Sequence, residues 1–579
     1  MLLTLHAFYY FKGVNAVGDG HLTRRKSEYF LIISLTIIVS FCILFTLRSV
    51  DDNRLTSWQD VFSVVDGVLI FALLVPGLCL SYMLTRLSFY ERYPALFLFL
   101  ISFAVGTIFW REPELIVDSS RYFTQSKHLS LYGPAFFLRE WGKEIPAWTD
   151  LPVVPFLYGL IFKFLGESRT YIQTCTTLMF SSTIVCTYLV GKILWSRETG
   201  FIAGLLLLGH PYLLIQVPLM LVDVPAMFFL MLSIMTFLRV LERGSGRDIL
   251  SASVSIFLTM FSKYSLWLML SILVIIIIVY MKKDRRQTLQ RGGVVLLFAG
   301  ILTTAFVLYK FDFFVSQISL LLSYQKPGLA RWQESAVSTF FFQTHPLITA
   351  AAGYSVYGAA KARDRNYAII AWLVLLVVVI LQVGRIRYIL PLFPMISLMA
   401  SYGMQALPHH EIRKYLGYST AIASLVIAVF AYLPFTLNTS AVNIKKAGEY
   451  LNSLEVGHVE VYTRPLRDPS VNPSVSVPIL DLYTQKQIRY VYRSEDYFTP
   501  DDVATSSLRF TWEYRNPRYY TASVDEAARK AIIVISGDAS PDSAWEREML
   551  SPLFHSSQLF DLARDPFRYK TIVTVFADF

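Results

Sequence analysis

The sequence predicts an α-helical polytopic membrane protein of about 13 transmembrane helices with a C-terminal water-soluble α/β domain. Three observations predict it. Of 579 residues, 54% are hydrophobic and only 16% charged, against roughly 25% charged in an ordinary soluble domain. Run after run of about 20 residues is nearly free of charge, the helical length that crosses a hydrocarbon core of about 30 Å. After residue 440 these runs stop, and short β-rich stretches replace them.

The pattern places spans at 29–47, 67–86, 94–110, 170–191, 199–219, 224–241, 249–262, 266–281, 292–310, 339–359, 366–382, 388–406 and 415–436. With the N-terminus cytoplasmic, the loops holding Arg86 and Arg92, Lys192 and Arg197, Arg239 to Arg247, Lys282 to Arg286, Lys361 to Arg365, and Arg413 with Lys414 all fall inside. That obeys the positive-inside rule in each of these loops. The first span follows Arg24, Arg25 and Lys26 and is too long for a signal peptide core, so it reads as retained. The stretch PVVPFLYGLIFKFLG over 153–165 is too short to cross, and counting it as a span would invert every later loop. It is expected to lie along the outer interface.

The odd number of spans leaves the C-terminal part outside. There VEVYT (459–463), IRYVY (488–492) and AIIVI (531–535) read as strands, and NIKKAGEYLNSL (443–454) as a helix. The expected organisation is an N-terminal cytoplasmic segment with two extra spans over 1–93, a membrane core over 94–439 with a long outer loop at 111–150, and an extracytoplasmic α/β domain over 440–579.

Composition also narrows the function classes. The net charge of +10 sits in short clusters between apolar runs, which reports topology and not a nucleic-acid surface. The cysteines at 42, 79, 175 and 186 form no CxxC pattern, so neither a disulfide framework nor a zinc site is indicated. His345, His409 and His410 have no partner at zinc spacing, and Gly244 with Gly246 form a turn.

Four polar groups fall on the predicted outer face. The loop REPELIVDSSRYF places Glu112, Glu114 and Asp118 beside the membrane, with Arg121 and Tyr122 about a turn further on. A carboxylate there suits a general base for an acceptor hydroxyl, although polar residues also simply flank spans. Asp223 in LVDVPAMFFL opens a span, where it reads either as a site residue or as a helix cap. Lys263 in FSKYSLW breaks an apolar pair of spans; the readings are a functional cation or a side chain snorkelling to the interface. In GRIRYILPLFP, Arg385 and Arg387 with Tyr388 stand at the outer mouth of a span against the charge rule, and guanidinium groups suit phosphate.

In order, DSSRYF, WTDLPVVPFLYGLIFKFLG, LVDVPAMFFLML, SKYSLWLML and RIRYILPLFP resemble the GT-C superfamily of membrane glycosyltransferases, especially the protein O-mannosyltransferase and aminoarabinose-transferase type, over about residues 94–440. The resemblance implies a GT-C fold and a hexosyl- or pentosyltransferase taking sugar from a polyprenyl- or dolichyl-monophosphate donor on the outer face, with inversion. It implies Asp118 as base, Asp223 as a second carboxylate, Lys263, Arg385, Arg387 and Tyr388 as donor-phosphate contacts, and Glu112, Glu114, Arg121 and Tyr122 as support for the acceptor or the loop. The family's first loop usually carries two adjacent acids, whereas Ser119 follows Asp118 here. A metal held by Asp118 and Asp223 is therefore not demanded, and no cofactor is required, though a divalent cation is compatible. The WWDxG signature of oligosaccharyltransferases is absent, which argues against transfer of a whole glycan.

A lipid-linked donor makes physical sense, because nucleotide sugars stay in the cytoplasm while an isoprenoid tail partitions into the bilayer. The acceptor is a protein, lipid or glycan hydroxyl, and the membrane is the cell membrane or, in a eukaryote, the endoplasmic reticulum with the C-terminal domain lumenal. The rival reading is a multi-span transporter or a lipid or glycan flippase. Such a protein places ionisable residues near the bilayer midplane and often carries inverted repeats, whereas these residues cluster at the outer ends of spans.

Overall fold

In hydrocarbon an unbonded backbone group costs several kcal/mol, so a chain with this many uncharged runs folds them into helices that bond internally. The computed structural model of the chain describes residues 19–87, 92–326, 334–439, 441–464, 471–492, 508–521, 529–537, 556–561 and 571–577. Residues 1–18 of the expected cytoplasmic segment lie outside that set.

In chain order the principal helices are α1 (Asp19–Thr46), α2 (Gly67–Thr85), α3 (Pro94–Ile108), α4 (Asp118–Glu140), α5 (Val153–Leu165), α6 (Arg169–Leu194), α7 (Asp223–Arg243), α8 (Gly246–Met260), α9 (Arg285–Tyr309), α10 (Pro346–Ala362), α11 (Phe393–Met404) and α12 (His410–Ile427). Among the described residues seven helices are long and apolar enough to cross a membrane: those at Ser27–Thr46, Gly67–Thr85, Pro94–Arg111, Arg169–Leu194, Asp223–Arg243, Arg285–Tyr309 and His410–Thr436. These coincide with seven of the expected spans. At 199–219, 266–281, 339–359 and 388–406 the helix is interrupted instead of continuous, while at 366–382 it passes from Tyr367–Val374 into a π-helical stretch and α8 is shorter than a full crossing. At three of these four interruptions the reason is local. Pro211, Pro346 and Pro394 each stand in the first two positions of a new helix, since proline lacks the N–H that would continue the preceding one.

The two extremes of burial locate the middle of the bundle. The α7 span is 83% buried and that of α9 only 17%, so α7 is enclosed by neighbours while α9 presents most of its surface outward. Close packing of α6 on the helix Arg197–Leu206 depends on two glycines: a Cβ on Gly191 would stand 2.6 Å from the Cα of Gly200.

Helices α4 and α5 form the layer that carries the site. α4 kinks at Gly133, whose φ of 87° precedes Pro134 and is open to glycine at no steric cost. With 13 residues, α5 is too short to cross a bilayer. It buries Val154, Tyr158 and Phe162 and leaves Phe164 and Leu165 exposed. Tyr158 Oη ties it to the segment before α7 by donating to the Leu221 carbonyl at 2.7 Å.

The C-terminal region is built on a five-stranded sheet of β1 (His458–Thr463), β2 (Gln487–Tyr490), β3 (Lys530–Ser536), β4 (Ser556–Phe560) and β5 (Ile572–Ala577) in the order β2-β1-β3-β5-β4. β1 is parallel to both β2 and β3, with Val459 opposite Ile488 and Ala531, and β5 closes antiparallel on β3 and β4. The expected strands around 459, 488 and 531 are β1, β2 and β3, and the expected helix is Val442–Ser453. Its apolar residues Ile444, Ala447 and Leu451 enter one core with Val459, Val461 and Ile533.

This sheet region is tied to the α4 layer by specific bonds. The Glu114 N–H donates to Tyr483 Oη at 2.7 Å, and Lys127 Nζ in α4 reaches Asp481 Oδ2 at 2.6 Å. Arg518 pairs with Glu144 at 2.9 Å.

Candidate active site

α4 begins at Asp118, and residues three apart on a helix share a face. Arg121 accordingly bonds back to Asp118, Nη2 to Oδ1 at 2.7 Å, and also lies 3.5 Å from Asp150. The short helix Ile386–Ile389 brings Arg387 from the far end of the core to the same place. Its two terminal nitrogens divide between two carboxylates: Nη1 to Asp118 Oδ2 at 2.6 Å and Nη2 to Asp223 Oδ2 at 2.9 Å. The second oxygen of Asp223, at the first position of α7, receives Lys263 Nζ at 2.6 Å.

The chain Arg121–Asp118–Arg387–Asp223–Lys263 thus runs through alternating charges. Alternation is what burial requires, because an ion removed from water without a partner is heavily penalised. Asp223 is fully buried, and Arg387 is 12% exposed. Burial alone would raise the Asp118 carboxyl, but Arg121 and Arg387 outweigh it and hold it below the usual carboxylate range. Burial pushes Asp150 up despite the pull of Arg121.

These residues border a cavity of about 150 Å³. Asp118, Arg121, Tyr122, Lys263, Arg385, Arg387 and Tyr388 line it directly, so the structure brings seven of the ten site residues expected from the sequence to one cavity. Lys263 Nζ lies 5.0 Å from the centre of the Tyr388 ring, and the Arg385 guanidinium 5.4 Å from it, so one phenol ring contacts two of the cations. Tyr122 Oη donates to Asp150 at 3.3 Å.

Asp223 sits behind this wall, with both of its oxygens engaged by cations that line the cavity. Glu112 and Glu114 stand elsewhere, buried beneath the loop. Glu114 accepts from Arg169 Nε at 2.8 Å, from Ser119 Oγ at 2.6 Å and from the Met220 N–H at 3.1 Å. It pins the start of α4 to the segment before α7. Burial raises the Glu112 carboxyl well above the usual range.

Other lining residues were not singled out in the sequence: Trp148, Asp150, Tyr264, Phe510 and Glu513. Asp150 was visible in WTDLPVV, as an acid directly before an interfacial helix. Phe510 and Glu513 carried no signal, because only the tertiary fold lays the C-terminal region against the cavity.

Asp118 and Asp223 turn their oxygens to guanidinium and ammonium groups and are bridged by Arg387, and no group of three or more His, Cys, Asp and Glu suited to a metal occurs among the described residues. A divalent cation between these two carboxylates would have to displace Arg387, so the arrangement does not fit one.

Residues 147–309 match the family model described as dolichyl-phosphate-mannose-protein mannosyltransferase, a range that includes Asp150, Asp223 and Lys263. No curated protein matches the chain significantly by sequence. Among solved structures, ArnT from Cupriavidus metallidurans bound to undecaprenyl phosphate is similar at a TM-score of 0.52 and 12% identity, covering 84% of this chain and 98% of that one. The apo state of the same protein gives a TM-score of 0.50 at 12% identity, covering 82% of this chain and 97% of that one. With a membrane helix bundle, a C-terminal sheet and this similarity over most of both chains, the chain has the fold seen in ArnT.

Proposed function

We propose that the protein transfers a glycosyl group from a polyprenyl-monophosphate donor to a hydroxyl acceptor on the non-cytoplasmic face of its membrane, with inversion. The observation that carries this reading is Arg387 holding Asp118 and Asp223 together beside a cavity also lined by Lys263 and Arg385. A carboxylate held ionised is matched to accepting a proton, and clustered cations to receiving a phosphate leaving group. The similarity to a protein whose structure was solved with undecaprenyl phosphate supports the donor class. The positive-inside pattern supports the sidedness, with 94–439 as catalytic core and 440–579 as an extracytoplasmic domain.

In the reaction the acceptor oxygen attacks the anomeric carbon from the side opposite the phosphate. The bond from that carbon to the phosphate oxygen breaks, and its electron pair leaves with the polyprenyl phosphate. Asp118 accepts the acceptor proton. Lys263, Arg385 and Arg387 stabilise the extra negative charge on the departing phosphate, and Arg387 keeps Nε without a partner among the described residues. Asp223 fixes Arg387 and Lys263 in place. Arg121 and Tyr122 orient the Asp118 side of the cavity through Asp150.

The test is to incubate purified protein with labelled polyprenyl-phosphate sugars and native membrane extract and to identify the product. Label should appear on a hydroxyl of a membrane-associated acceptor with the anomeric configuration inverted. Failure to transfer any sugar from the panel would count against the reading, and retention of configuration would count against the single displacement.

A further inference from the structure

A buried polar atom with no hydrogen-bond partner is costly, and native chains keep few of them. Three neutral ones stand around this cavity. Trp148 Nε1, Tyr264 Oη and Ser265 Oγ are buried without a partner among the described residues, and all three residues line the cavity. They come from two separate segments, the approach to α5 and the turn after α8. Trp148 carries a second cost, a φ of 44°. A bulky side chain rarely adopts that left-handed conformation, and such outliers cluster at ligand sites. Phe510, from the C-terminal region, meets the Trp148 indole edge-on at 6.4 Å.

The carboxylates here are already matched. Asp118 pairs with Arg121 and Arg387, Asp150 with Arg121, and Glu513 with Arg509 at 3.3 Å. Beside the Nε atoms of Arg121 and Arg387, what remains unmet is neutral hydrogen-bonding capacity. The space is also limited: the cavity measures about 150 Å³, and an apolar cavity of about 150 Å³ holds a single benzene ring.

We propose that Trp148, Tyr264 and Ser265 form the subsite for one uncharged monosaccharide ring, the glycosyl group of the donor. Their three polar atoms bond its hydroxyls, and Phe510 closes the subsite from the C-terminal region. This rests on the polyprenyl-phosphate donor reading and adds to it the class of sugar and the residues that select it. No carboxylate lining the cavity is left unpaired among the described residues to receive an amino sugar.

The test compares Tyr264→Phe and Ser265→Ala with the unaltered protein by titration calorimetry, using bare polyprenyl phosphate, a neutral hexosyl polyprenyl phosphate and an amino-sugar polyprenyl phosphate. Each variant should weaken binding of the hexosyl lipid by about fivefold, the worth of one neutral hydrogen bond. Affinity for the bare phosphate should stay unchanged. The melting temperature should hold or rise, because the deleted atom has no partner among the described residues. That combination separates a ligand contact from a structural one, and Trp148→Phe supplies a third variant.

Equal weakening of the bare and hexosyl lipids, no weakening of either, or a preference of the unaltered protein for the amino sugar would overturn the subsite and leave the phosphate reading standing. An unaltered protein that binds none of the three lipids would overturn the donor reading itself, and the subsite with it.

Discussion

Arg387 and Asp118 lie 269 residues apart in the chain and 2.6 Å apart in the fold. The same guanidinium also holds Asp223 at 2.9 Å, which makes Arg387 the bridge between the start of α4 and the start of α7.

Replacing Asp118 with Asn keeps the shape and removes the proton acceptor. Transfer should fall by about 10²–10⁴-fold, the usual contribution of a positioned base, while the protein still folds. Turnover of purified protein, read beside its thermal melt, checks this. Near-normal transfer would remove Asp118 from the base role.

Arg387→Ala would leave two buried carboxylates without their shared counter-ion. Breaking a buried pair by removing one partner costs about 3–5 kcal/mol, so this variant should be plainly destabilised in a denaturant titration. Arg387→Lys and Lys263→Ala are the gentler probes. Each should fold and weaken donor binding by about tenfold, because a lysine cannot reproduce the guanidinium fork and an alanine supplies no charge. Unchanged donor affinity in both would contradict the phosphate role.

Glu114→Ala should act on stability and not on chemistry. Its carboxylate is the shared acceptor for Arg169, Ser119 and the Met220 N–H in a fully buried position. Its loss should cost about 3 kcal/mol by orphaning Arg169, with the turnover of the remaining folded fraction preserved. A normal melt with lost turnover would place Glu114 in the reaction instead.

The contact between α4 and the sheet region should depend on pH. Lys127 gives its shorter bond, 2.6 Å, to Asp481 and stands 3.0 Å from Glu167. Burial first, then the nearby Asp481, lift Glu167 from 4.5 to about 7 against the pull of Lys127. With the folded value above the unfolded one, the folded chain binds more protons between those limits. The contribution is therefore fully present below about pH 4.5 and lost as pH rises through about 7. Glu167→Gln should melt higher than the unaltered protein at pH 8 and alike at pH 4. Melting curves across that range check the sign.

Because Arg387 and Lys263 already neutralise Asp118 and Asp223, chelation should leave transfer unchanged. Turnover in excess chelator, with and without added magnesium or manganese, checks it. Activity lost to the chelator and restored by the metal would mean that the ion displaces Arg387 during turnover.

The sequence by itself determined the membrane class, most of the long helices and the first three strands of the sheet. Those features are periodic or compositional: about 20 uncharged residues make a crossing helix wherever they occur, and VEVYT, IRYVY and AIIVI alternate or cluster as buried strands do. It also marked Asp118, Asp223, Lys263 and Arg387, because charge at the end of an apolar run is costly and hence conspicuous. Tertiary structure alone decided that one guanidinium joins Asp118 to Asp223, that Glu114 serves the loop and not the cavity, and that Phe510 reaches the site from beyond residue 440. Pairing at that range follows from how helices stack and where proline interrupts them, and neither composition nor spacing records which interrupted end will face which. The unpartnered atoms of Trp148, Tyr264 and Ser265 were hidden for the same reason, since a missing hydrogen bond is a property of three-dimensional surroundings and has no letter in the chain.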